Sequence, residues 1–130
     1  MTSRRAPAST TIALAASADL VLVLIFVLIG RGSHDEGFSI VGSLNTAWPF
    51  VAGLAIGWLV ARAWRFPRGV TNPGVVIWAS TAVVGVALRA ISGQGVAVSF
   101  VIVTAIVLAV FLLGWRLIAA LVVRRRPARG

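Results

Sequence analysis

Cysteine and lysine are both missing from these 130 residues, and only Asp19, Asp35 and Glu36 are acidic. Without cysteine there are no disulfides, no thiol nucleophile and no thiolate-bound metal. Without lysine there is no Schiff base, which excludes retinal-type pigments and aldolase-like chemistry. Charge of either sign is scarce, at 12% of residues, where a soluble domain carries roughly a quarter. Motifs for chemistry are missing as well: no H-E-x-x-H, no G-x-S-x-G, no phosphate-binding glycine loop and no Cys/His metal cluster can be found.

What is present is apolar. Hydrophobic residues make up 59% of the chain, and mean hydropathy is +1.01. Four long apolar stretches cover about 11–29, 47–63, 74–91 and 96–123. Each approaches or exceeds the ~17–25 residues that carry a helix across ~30 Å of hydrocarbon. In lipid only helices and closed barrels satisfy the backbone, and runs this long without alternation exclude barrel strands. The expected fold is therefore all-α, an integral membrane four-helix bundle over 11–123, with a tail at 1–10 and a basic tail at 124–130. Asn45 and Thr46 read as caps of the second span, with Pro49 in its first turn. Asn72-Pro73-Gly74 opens the third, and Ser92-Gly93-Gln94-Gly95 turns into the fourth. Trp48, Trp64, Trp78 and Trp115 lie toward span ends, as interfacial aromatics do, and Trp58 lies deeper. The first span is not expected to be a cleaved signal, because it is long, holds Asp19 and lacks a small-x-small site after its core.

The twelve basic residues are all arginine, and their positions sort by side. Arg4 and Arg5 precede the first span; Arg62, Arg65 and Arg68 follow the second; Arg124, Arg125, Arg126 and Arg129 follow the fourth. With four spans these share one face, which the positive-inside rule makes cytoplasmic. Both termini are then expected inside. Arg62, Arg65, Arg68, Arg124, Arg125 and Arg126 serve as topology signals and as contacts for anionic lipid headgroups.

Charges within the spans each need a reason, since insertion at the centre costs ~2.5–3.5 kcal/mol. Asp19 and Arg116 lie at matching depth, roughly 12 Å in from the same side. Opposite charge at equal depth predicts an intramembrane ion pair joining spans one and four. For Arg116 the alternative is snorkelling to the headgroups; Asp19 is too short for that and otherwise needs water or a proton. On the other side, Arg31, His34, Asp35, Glu36 and Arg89 form an expected outer-face polar cluster. Arg89 has two readings there, pairing with Asp35 or Glu36, or reaching the headgroups. His34 is the one group of that cluster able to titrate near neutral pH. Gly53 and Gly57, with Thr81, Gly85 and Arg89 on one face of span three, suggest close helix packing, within the bundle or between chains.

Gly30-Arg31 with Ser33-His34, Thr46-Ala47-Trp48-Pro49-Phe50 with Gly53, Gly85 with Leu88-Arg89, Gly93 with Gly95, Ser99-Phe100 and Gly114-Trp115-Arg116 form an ordered set. In this it resembles a family of small bacterial and archaeal membrane proteins, Domain of Unknown Function family 3054, from about Asp19 to Leu117. The resemblance implies a four-helix integral membrane protein and supplies no activity.

Three functions are compatible with these residues. The favoured one is a non-enzymatic structural or accessory bundle. The second is a transporter or channel subunit for an ion or a small anionic or lipid-like solute, working through Asp19 and Arg116. The third is an outer-face lipid-modifying enzyme using His34. It is weakened because neighbours in sequence rarely converge on one atom, and a metal needs more ligands than one histidine and two adjacent carboxylates. No catalytic residue, metal or cofactor is expected. The expected partners are membrane lipids and a second copy or a membrane complex, with no nucleic acid; the expected location is the cell (plasma or inner) membrane.

Overall fold

A computed structural model of the chain describes residues 8–33 and 39–125. Among them all regular structure is helical. The elements are α1 (Ser9–Ser33), α2 (Ile40–Ala61), α3 (Val76–Ile91), α4 (Val98–Leu108) and α5 (Gly114–Arg125). The last two continue into one another through a wider turn at Ala109–Leu113. Four candidate spans result, Ser9–Arg31, Ile40–Ala61, Val70–Ile91 and Val98–Val123, of 23, 22, 22 and 26 residues. At ~1.5 Å per residue they measure roughly 33–39 Å, enough to cross a bilayer core.

The packing is inside-out relative to a water-soluble bundle. Large apolar side chains such as Leu14, Val41, Val83 and Ile91 point outward, and at most 33% of any span's most apolar window is buried. A small dry core fills the middle: Val23, Phe26 and Val27 from α1, Phe50 and Leu54 from α2, Ile77 from α3, and Leu108 and Leu112 from the fourth span. Phe26 meets Phe50 edge-to-face with ring centroids 5.3 Å apart.

The most extensive packing is between α2 and α3. A Cβ on Gly53 would lie 2.9 Å from the Ser80 carbonyl oxygen, and one on Gly57 would lie 3.0 Å from the Ile77 Cα. Ser80 Oγ uses the gap to donate to the Gly53 carbonyl at 2.8 Å. Gly85 makes room for the Phe50 ring in the same way. These small residues pack helices within the bundle.

Helix α2 begins earlier than its apolar run, and Asn45 and Thr46 do not cap it. Ser39 does, with extended backbone (φ −61°, ψ 145°) and a hydroxyl accepting the Gly42 N–H at 3.0 Å. Pro49 consequently lies inside the helix, not in its first turn. Lacking an N–H, it leaves the Asn45 carbonyl without the usual partner four residues on. Gln94 Nε2 supplies the missing donor at 3.1 Å. Such substitution by a neighbouring segment is how helices in lipid tolerate proline. Gln94 therefore ties the α3–α4 connection to α2, beyond forming a turn.

Arg62 ends α2 in a left-handed conformation (φ 51°, ψ 53°), and a short 3₁₀ turn follows at Ala63–Arg65. The third span starts irregularly. Asn72, ahead of a cis peptide to Pro73, is extended (φ −130°, ψ 114°), as residues before proline prefer. The Gly74 N–H reaches back to the Gly69 carbonyl at 2.9 Å.

Candidate functional site

Polar side chains gather at two places in the bundle, one near each end. The first is built on Asp19. Its helix carries it in at the middle of α1, where an apolar surround leaves a carboxylate no water. The structure brings it to Arg116 on α5. The guanidinium meets the carboxylate in a fork, Nη1 to Oδ1 at 2.7 Å and Nη2 to Oδ2 at 2.7 Å. Both side chains are 0% exposed. Two indoles complete the carboxylate: Trp58 Nε1 donates to Oδ2 at 2.8 Å and Trp115 Nε1 to Oδ1 at 2.8 Å. Each carboxylate oxygen thus accepts one guanidinium and one indole N–H.

Arg116 is held as tightly. Its Nε donates to the Pro67 carbonyl at 3.1 Å and Nη1 also donates to the Leu112 carbonyl at 2.9 Å. Its Cζ lies 4.6 Å from the centre of the Trp115 ring, a cation–π distance. The cluster reaches every span, because a Cβ on Gly74 would come within 3.1 Å of Arg116 Cδ. Charge-assisted, bidentate bonds are the strong kind, and a buried pair is stable only when its remaining lone pairs and protons are also satisfied. Here they are. A snorkelling Arg116 is not seen.

The matched depth of Asp19 and Arg116 was readable from the sequence; their tryptophan and proline partners were not. Trp58 was legible only as an aromatic set deep in its span. An indole N–H in an apolar interior requires an acceptor, and that requirement is the signal that points to Asp19. Trp115 and Trp78 differ from the expected interfacial role, since both donate inward, Trp78 Nε1 to the Ala105 carbonyl at 2.9 Å.

The second place is a cavity of about 470 Å³ between α1, α2, the α3–α4 connection and α4. Arg31 and Arg89 both line it, together with Phe26, Phe50 and Phe100. Arg31 Nη1 donates to Thr46 Oγ1 at 2.8 Å and to the Gly42 carbonyl at 3.0 Å. Gly42 leaves room for this guanidinium, since a Cβ there would require Arg31 Nη2 and Ser39 Oγ to shift. Arg89 Nε donates to the Gly95 carbonyl at 3.0 Å and Nη1 to Gln94 Oε1 at 3.3 Å. Its Cζ stands 4.6 Å above the Phe100 ring.

The rest of the expected outer cluster, His34, Asp35 and Glu36, lies outside the described residues, so the suggested pairing of Arg89 with either acid does too. Arg62, Arg65 and Arg68 are exposed at the end of the bundle that holds Pro67. Arg124 and Arg125 close α5, and Arg126 lies outside the described residues.

An apolar exterior around one closed ion pair is the construction of a helical bundle of the membrane type, with four helices long and apolar enough to cross a bilayer. The chain belongs to the family described as protein of unknown function (DUF3054), which matches it over residues 16–119. Asp19, Trp58, Trp115 and Arg116 all fall within that match. No curated protein and no solved structure matches the chain.

Proposed function

We propose that this chain is a non-enzymatic integral membrane protein of the cell membrane, a structural or accessory bundle with both termini in the cytoplasm. One observation carries the reading: the Asp19–Arg116 pair is fully buried and both carboxylate oxygens are filled. An ionisable residue inside a membrane span is by default a functional candidate. A group that relays protons or takes up a solute, however, needs water, a free lone pair or a vacant donor. Asp19 spends both oxygens on four donors, so a proton or anion reaching it has to displace an arginine or an indole first. The cluster fits a lock that sets which helices adjoin, and fits poorly a station on a transport path. Orientation rests on the arginines: Arg62, Arg65 and Arg68 lie at the end where Arg116 meets Pro67, the side that the positive-inside rule assigns to the cytoplasm.

Two measurements test this. Single cysteines at Ser3, Ser33, Thr71 and Ser92, in a chain that has none of its own, report sidedness to an impermeant thiol reagent. Labelling from outside is expected at positions 33 and 92 only; labelling at 71 with protection at 33 would reverse the orientation. In liposomes loaded with a pH dye, the native chain and Asp19→Asn are expected to leak protons equally. A proton flux lost in Asp19→Asn would establish the transporter reading in place of this one.

A further inference from the structure

We propose that the cavity beside Arg89 binds a single-chain anionic lipid, its phosphate or carboxylate held by Arg89 and its chain laid along Phe26, Phe50 and Phe100. The proposal goes beyond the structural role of the Asp19 lock, which stands at the other end of the bundle. It shares with that reading only that the helices sit in a bilayer.

Four features carry it. The volume, about 470 Å³, falls in the range of roughly 300–1,000 Å³ typical of small-molecule sites; it suits one head and one chain rather than a two-chain lipid. Its walls combine aromatic rings with cationic groups, the pattern of a pocket in which apolar surface provides contact and a few polar groups orient the ligand. Among the described residues Arg89 is held in place by neutral partners, the Gly95 carbonyl, Gln94 Oε1 and the face of Phe100. Among the described residues no carboxylate meets it, and a guanidinium at an apolar cavity wall without a counter-ion is a site for an anion.

The fourth feature is Thr104, another residue of the cavity wall. It is 0% exposed, and its hydroxyl has no hydrogen-bond partner. A threonine in a helix normally satisfies itself on the carbonyl one turn back, as Thr81 does on Ile77 at 2.7 Å. Thr104 does not. A buried hydroxyl left without a partner calls for an explanation. It lies four residues, roughly 6 Å, along the fourth span from Phe100, the ring that Arg89 covers. An ester carbonyl beneath a phosphate head would give that hydroxyl an acceptor.

The test uses the full chain in phosphatidylcholine nanodiscs and native mass spectrometry of the released protein. The probe is 1-lauroyl lysophosphatidic acid, with 1-lauroylglycerol and inorganic phosphate as the two halves of its chemistry. One saturable lysophosphatidic acid adduct per chain is expected, with little adduct from either half. Arg89→Gln should weaken it tenfold or more, the scale of a lost hydrogen bond to a charged group. Arg89→Lys should retain part of the binding, and Thr104→Val should weaken it several-fold. Gly30→Phe is the control against misfolding: a Cβ at Gly30 meets no atom within 4 Å, so the ring enters cavity space and should abolish the adduct in a folded protein. Arg62→Gln, at the opposite end, should leave it unchanged. Equal adducts with lauroylglycerol, binding of phosphate alone at the same level, or an adduct that survives both Arg89→Gln and Gly30→Phe would each overturn the proposal.

Discussion

Replacing Asp19 by asparagine keeps the shape of the side chain and removes its charge. The amide offers one acceptor where the carboxylate accepts from Arg116 twice and from Trp58 and Trp115 once each. Its NH₂ group then points at a donor. Arg116 stays buried, at 0% exposure, with its cation unpaired. Breaking a buried pair from one side costs about 3–5 kcal/mol, a large share of a total stability of about 5–15 kcal/mol. Arg116→Gln is expected to cost a similar amount, leaving a carboxylate with only two indole donors. In the double variant neither charge remains and two neutral amides face each other. Its loss should fall short of the sum of the single losses by about 2–3 kcal/mol, the upper part of the range for residues in direct contact. The assay is reversible unfolding of each variant in mixed micelles of a mild detergent and dodecyl sulfate, read by tryptophan fluorescence and checked by circular dichroism. Single losses that simply add, to within about 0.5 kcal/mol, would refute the claim that the pair is the lock of the bundle.

Other outcomes follow from the same contacts. Trp58→Phe keeps most of the ring and deletes one bond to a charged acceptor, so a loss of about 1.5–3 kcal/mol is expected in the same unfolding assay; no measurable loss would remove Trp58 from the cluster. Gly53→Val places a Cβ 2.9 Å from the Ser80 carbonyl, and the two helices must part, at about 1–3 kcal/mol. Gly85→Ala pushes on the Phe50 ring and should cost about as much, with Phe50→Leu restoring part of the loss if that contact is the cause. Gln94→Leu strips the donor from the Asn45 carbonyl ahead of Pro49, and should cost about 0.5–1.5 kcal/mol, the net worth of one hydrogen bond; Pro49→Ala in the same chain, by restoring a backbone N–H there, should recover most of it.

Hydropathy is a local property, and lipid leaves the backbone few alternatives. For that reason four helices, their number and rough place, and the sorting of arginines to two ends could be read from the sequence alone. The pairing of Asp19 with Arg116 could be anticipated too, since two opposite charges at one depth have few other partners in an apolar bundle. Helix starts were another matter. Asn45, Thr46 and Pro49 carry every mark of a helix beginning, yet α2 starts at Ile40 on the cap of Ser39. Thr46 bonds the Gly42 carbonyl and Arg31, and Gln94 makes good the bond that Pro49 cannot form. A cap or a breaker is decided by whether some distant segment supplies the missing donor, and no window of sequence contains that segment. The same limit hid the cavity. Arg31 and Arg89 stand 58 positions apart in the chain, and Thr104 reads as one more residue of an apolar run. Only the way α1 and α4 fold around the three phenylalanines sets two cations and an unsatisfied hydroxyl around one space.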